Sequence, residues 1–292
     1  MNRALRGVLS FGAALALASS ARADGEAKKL KWDDDRPRFR AVEYVATGVL
    51  GPLAIAEYFT VPAQSTPHWT GGILFDEALR DAIRLRTPAA LQTSWAFADA
   101  TGTMLVLMSV LVDSVVIPIA RGSTDVAWQL LMMDAESFTL ASLVAVSAYD
   151  TIGRARPPYV GCADGDPTVP RVECTGSLTA SFPSGHIAEG FNSAGLSCAH
   201  HLFAHVYGNR VADAFACARD LALATTEGVL RMMGDRHYFS DVVAGSLIGF
   251  GVGFGMPSLL HYVKRRQGAS GAAWYAAPLV GRQTGVALVG TF

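Results

Sequence analysis

Charge is scarce in this chain. Only 17% of its 292 residues are Asp, Glu, Lys or Arg, and the net charge is −1. No global basic field draws it to nucleic acid, so any anion it binds must be held locally. Cysteine is sparse too, at four. None of the four has a Cys-x-x-Cys partner, which argues against a zinc site. No internal repeat is apparent. What is plentiful is apolar surface: 51% of residues are hydrophobic and 29 are glycine. That is richer than a typical soluble enzyme and poorer than a densely membrane-embedded chain. The length allows one large domain or two small ones.

The N-terminus has the layout of a secretory signal peptide over residues 1–23. Arg3 and Arg6 precede an apolar run, Gly7 to Ala18, and Ala21-Arg22-Ala23 offers a small-x-small cleavage site. A short uncleaved anchor is the alternative, and either one sends the chain into an export pathway. Residues 24–40 carry nine charges from Lys28 to Arg40 and read as a solvated, charged linker. Cys162 and Cys174 flank a Pro/Asp/Gly-rich stretch, and in an oxidising compartment a disulfide closing that loop is expected. Cys198 and Cys217 lie in apolar helical segments and read as buried free thiols.

Between residues 41 and 266 the pattern is helical throughout, with about six main helices and a long loop from Arg154 to Pro183. Glycines at 245, 249, 251, 253 and 255 in the last helix suit close helix packing. The tail, 267–292, alternates loosely about Gly281-Arg-Gln-Thr-Gly285 and reads as a short β-hairpin. Several helices are apolar enough to span a membrane, although most carry a carboxylate. Lys264-Arg265-Arg266 belongs inside by the positive-inside rule, which puts 150–186 and 231–238 outside and residues 24–40 inside. A cleaved signal peptide would put 24–40 outside instead. The two readings differ by one crossing.

Three stretches carry chemistry. Phe182-Pro-Ser-Gly-His186 is a loop feeding a helix start. It offers backbone N–H groups, a hydroxyl, the positive dipole end and an imidazole that titrates near neutral pH. Gly153-Arg-Ala-Arg-Pro-Pro158 supplies guanidinium forks that match phosphate oxygens two at a time. In Arg231-Met-Met-Gly-Asp-Arg-His237-Tyr-Phe-Ser-Asp241, His237 and Asp241 are four apart and share a helical face. A carboxylate on one imidazole nitrogen makes the other a better nucleophile.

In that order, the three stretches resemble the type-2 phosphatidic acid phosphatase superfamily, which includes lipid phosphatases, acid phosphatases and vanadium haloperoxidases. The resemblance runs from about Tyr149 to Asp241. It implies an all-α helical bundle of the kind shared with chloroperoxidases. It also implies a phosphatase, acting through a phosphohistidine, that needs no metal and no other cofactor. By the resemblance, Arg156, Arg231, Ser184 and the Gly185 N–H hold the phosphoryl oxygens. His237 attacks phosphorus, Asp241 orients His237, and His186 serves the leaving group and then water. The implied substrate is a lipid phosphate, a lipid pyrophosphate or a small phosphate ester, handled on the periplasmic side in association with the membrane. A haloperoxidase and a non-catalytic phosphate- or lipid-binding member are the alternatives.

Two positions depart from the family pattern. Tyr149 stands where the first motif normally opens with lysine, and Leu230 stands where a serine usually precedes the third-motif arginine. Arg154, close by, is the candidate substitute for the missing cation. Outside the motifs, His200, His201 and His205 include an i, i+4 pair, and partly exposed helix histidines are the better reading than a metal site. Asp134 and Glu136 sit near the start of their apolar run.

Overall fold

The computed structural model describes residues 29–61, 64–263, 273–279 and 285–291. The expected signal peptide lies outside these. Eight helices appear among the described residues. They are α1 (Ala41–Thr60), α2 (Asp76–Ile83), α3 (Pro88–Ala120), α4 (Thr124–Ile152), α5 (Tyr159–Asp164), α6 (Gly185–Ala199), α7 (Arg210–Met233) and α8 (Phe239–Tyr262). Two of these, α2 and α5, are short, which leaves the six main helices of an all-α bundle. α3 is π-helical over Leu107–Val116, and α6 continues as a π-turn over His200–Ala204. In the tail, β1 (Ala273–Leu279) pairs antiparallel with β2 (Gly285–Thr291).

Local chemistry sets the helix ends. The Thr87, Ser123 and Asn209 side chains accept from backbone N–H groups at the starts of α3, α4 and α7. Gly153 ends α4 at φ 58, where a residue with a Cβ would be strained and would also meet the Gln64 side chain. The helices α3, α4 and α8 are long and apolar enough to cross a membrane.

The glycines of α8 do two different things. A Cβ on Gly245, Gly249 or Gly253 would fall 2.5, 2.0 and 2.2 Å from the carbonyl oxygens of Ser184, Ala188 and Asn192 on α6. Gly251 and Gly255 face open space. Every fourth glycine therefore lets α8 lie directly on the α6 backbone, and this contact sets the second and third motifs side by side. Gly249→Ala should cost about 1–3 kcal/mol or more through overpacking. A lowered Tm in thermal denaturation checks this, with Gly251→Ala as the neutral control.

Two expectations need correction. Residues 29–40 are not a solvated linker: Leu30, Trp32 and Phe39 are buried in a cluster with Val126, Leu130, Met133, Val206 and Tyr262. Charges alternate with these apolar residues, so the segment reads as hydrophilic while inserting one side of itself. Cys198 and Cys217 are not free thiols. They are joined in a disulfide between α6 and α7, with Cα atoms 4.4 Å apart, and Cys162–Cys174 is joined as well. The first pairing was hidden because helix periodicity does not show which helix lies opposite.

The connectivity brings the C-terminal ends of α4 and α7 and the N-terminal ends of α6 and α8 to one end of the bundle. Residues 29–40 pack at the other end. There the Leu30 N–H donates to Arg121 O, and Arg36 donates to Phe203 O and lies over the Tyr262 ring.

Candidate active site

A cavity of about 320 Å³ opens at the end where the three motifs meet. Trp95, Asp99, Arg156, Thr175, Gly176, His186, Arg231, Arg236 and His237 line it. Four of the residues singled out in the sequence, Arg156, His186, Arg231 and His237, therefore line one cavity.

His237 is buried just ahead of α8. Its Nδ1 lies 2.9 Å from the Ser181 carbonyl oxygen. A carbonyl only accepts, so Nδ1 carries the hydrogen and Nε2 keeps its lone pair. Asp241 Oδ2 stands 3.8 Å from Nδ1. Asp241 thus supplies negative potential there, while the Ser181 carbonyl does the direct holding. Burial lowers the His237 pKa, Asp241 opposes this, and Arg156 and Arg231 add to it. The balance favours the neutral ring.

Asp241 is itself fully buried and shared among four partners. It accepts from Ser181 Oγ at 2.6 Å, from the Tyr238 N–H at 2.8 Å as the cap of α8, and from Arg154 Nη1. Its own backbone carbonyl accepts from the Ser184 N–H. One residue therefore ties the second motif to the third.

Arg154 accordingly does not replace the missing lysine. It is fully buried, sandwiched between the rings of Trp69 and Tyr238, and bonded to Gly71 O, Ser240 Oγ, Asp76 and Asp241. It does not line the cavity. The cation at hand is one that the motif spacing concealed, Arg236. It donates to Thr175 O at 3.2 Å and stacks 3.8 Å from the Trp95 ring centroid, on the cavity wall. A guanidinium beside His237 in sequence gave no signal of the direction it would face.

Three guanidiniums converge here. Burial comes first, and repulsion from Arg236 and Arg231 follows, in pushing Arg156 down to about 10; its Nε has no hydrogen-bond partner among the described residues. Arg236 is likewise lowered by burial and by Arg231. Arg231 Nη2 turns to Asp99 at 2.7 Å, with Glu227 Oε1 at 3.6 Å. Asp99 keeps 63% of its side-chain surface exposed, so an anion entering the cavity can displace it. His186 opens on the cavity, and crowding by protein, Arg231, His237 and Arg156 holds its pKa well below the usual imidazole range.

Ser184 caps α6 with its hydroxyl fully buried and unpartnered among the described residues. Tyr149 stands at the cradle too: its ring edge lies 3.9 Å from where a Cβ on Gly185 would be. Tyr149→Lys should place a charge-assisted donor there and raise kcat/KM by about tenfold. Steady-state kinetics on a phosphate ester reads this directly. An unchanged value would mean that Arg236 already fills the role.

The histidine cluster at the far end is exposed only at His205, whose side chain is half exposed. His200 and His201 are fully buried. His200 bridges Asp134 and Tyr262, and His201 lies between Asp213 and Asp113. Their partners come from other elements, which the helical register could not reveal.

The PAP2 superfamily model matches residues 131–265. That segment contains all three motifs. Among solved structures the chain is similar to a transmembrane PAP2-type phosphatidylglycerolphosphate phosphatase from Bacillus subtilis. Identity is 20%, the TM-score is 0.47, and 74% of this chain and 95% of that one are covered. It is also similar to Aquifex aeolicus LpxE, at 20% identity and a TM-score of 0.41, covering 64% and 96%. No curated protein sequence matches.

Proposed function

We propose that this protein is a membrane-associated, metal-independent phosphatase acting on phosphomonoesters or pyrophosphates, with lipid phosphates as the favoured class. The observation that carries the reading is the convergence of Arg156, Arg231 and Arg236 with two histidines on one cavity. Three cations crowded together against their own repulsion call for a multiply charged anion.

The chemistry follows from the groups present. His237 Nε2 attacks phosphorus in line, and the phosphorus–oxygen ester bond breaks. A phosphate dianion beside His186 favours its cationic form, so His186 gives a proton to the departing oxygen. The phosphohistidine is then opened by water, which surrenders its proton to His186. Arg156, Arg231, Ser184 and the α6 backbone N–H groups hold the three equatorial oxygens.

The topology bears on location. The cavity and residues 29–40 lie at opposite ends of the bundle, so a bundle that crosses a membrane puts them on opposite faces. By the positive-inside rule the cationic stretch after α8 favours residues 29–40 inside and the cavity outside. Cys162–Cys174 lies at the cavity end and Cys198–Cys217 toward the other, so the disulfides do not distinguish the two faces.

Phosphate release from a panel of lipid phosphates and soluble esters, measured with a chelator present, tests the proposal. Turnover on lipid substrates is the expected result. Halide oxidation appearing only with vanadate, or lipid binding without turnover, would overturn it. The depressed His237 pKa adds a pH prediction. The neutral, active imidazole persists as pH falls through 6.5, so the acid limb of kcat/KM should lie below that value.

A further inference from the structure

At the end of the bundle away from the cavity, three side chains from distant parts of the chain meet. Glu43 comes from the first turn of α1, Glu136 from α4 and His261 from the end of α8. One ligand atom from each lies within 4.8 Å of the other two. His261 Nε2 stands 3.8 Å from Glu43 Oε1 and 4.0 Å from Glu136 Oε2. These are too long for hydrogen bonds. His261 is fully buried, and neither ring nitrogen has a hydrogen-bond partner among the described residues; Glu136 Oε2 has none either.

An unbonded buried imidazole is costly, and a carboxylate oxygen left the same way is costlier. Something that accepts lone pairs from all three atoms would relieve both. A cation centred among them would sit about 2.3–2.5 Å from each, slightly beyond the usual zinc bonds of 2.0–2.2 Å. The site would need to contract by only a few tenths of an ångström. We propose that Glu43, Glu136 and His261 bind one divalent transition-metal ion, zinc by preference, which clips the N-terminal segment to the end of the last long helix.

The surroundings fit such a site. Imidazole with two carboxylates suits zinc and manganese better than the hard oxygen-only cations. Glu43 is held by the Arg40 backbone N–H and guanidinium, the kind of support that orients a ligating carboxylate. Arg40 pairs with Glu43, and a divalent ion would more than offset the remaining carboxylate of Glu136. The Phe39 ring stacks on His261 with centroids 5.8 Å apart, fixing the imidazole plane. An ion here would close a loop from residue 43 to residue 261, and much of its binding energy would appear as stability. The ion plays no part in the phosphate chemistry, since it lies at the other end of the helices.

The full-length protein, purified in detergent, is dialysed against chelator and then against zinc, with manganese and magnesium in parallel. Elemental analysis is expected to find about one zinc per chain, magnesium is expected to be excluded, and zinc is expected to raise Tm by several degrees. Glu136→Gln should lose the ion and the Tm response while keeping phosphate-ester turnover. His261→Ala should do the same. If the wild-type protein retains no zinc or manganese and its Tm is indifferent to both, the proposal fails. It also fails if bound zinc persists undiminished in Glu136→Gln.

Discussion

His237→Ala is expected to lower phosphate release by on the order of 10⁴-fold or more, with little change in substrate binding. In the proposed reaction phosphate is held by Arg156, Arg231, Ser184 and the start of α6, and none of these depends on the His237 ring. Only the attacking atom is lost. Among the other residues that line the cavity, the Trp95 indole and the Arg236 guanidinium are not nucleophiles, and His186 is assigned to the leaving group in the proposed reaction. The loss should therefore fall on kcat, corresponding to about 5 kcal/mol of transition-state stabilisation. Rapid quench with a radiolabelled ester adds a second readout. Wild-type protein should trap acid-labile phosphate on the chain, and His237→Ala should trap none. His186→Ala should also be slow, and it should still become labelled by a substrate whose leaving group needs no proton. Labelling retained in His237→Ala would place the nucleophile elsewhere.

The sequence showed this site clearly in one respect and poorly in another. Arg156, Ser184, His186, Arg231, His237 and Asp241 sit in short stretches whose residue types and order declare anion binding and proton transfer. Bundle class and helix positions were readable for the same reason, since both rest on local periodicity. What could not be read is what stands opposite each group. Arg154, two residues from Arg156, differs from it only in facing Asp76 and Asp241 instead of the cavity. Arg236 had no role assigned to it. Cys198 and Cys217 looked separate because each lies on its own helix. Residues 29–40 looked soluble because Leu30, Trp32 and Phe39 are separated by charges. In each case the deciding contact spans from 19 to more than a hundred residues, and no windowed pattern reports it.

The largest stability effect is expected at Arg154. Its guanidinium is fully buried between two aromatic faces and is the shared counter-ion of Asp76 and Asp241. Arg154→Leu fills much of the space and leaves those two carboxylates facing each other without a cation. Breaking a buried pair from one side costs about 3–5 kcal/mol, and here two acids are stranded at once. Asp76 also accepts from the Ser240 N–H and hydroxyl, so the start of α8 loses its support. Asp241 would have to protonate or turn away, and the hydrogen bonds it accepts from Ser181 and Tyr238 would go with it. The carbonyl that holds His237 Nδ1 belongs to that same Ser181. Activity should therefore fall together with Tm, unlike His237→Ala, where Tm should hold. Arg154→Lys separates the two causes. It keeps the charge and loses the fork, so it should recover part of the stability yet hold only one carboxylate well. Parallel Tm and kcat measurements on the three variants would settle whether Arg154 acts through the fold, as its burial requires, or on the phosphate itself.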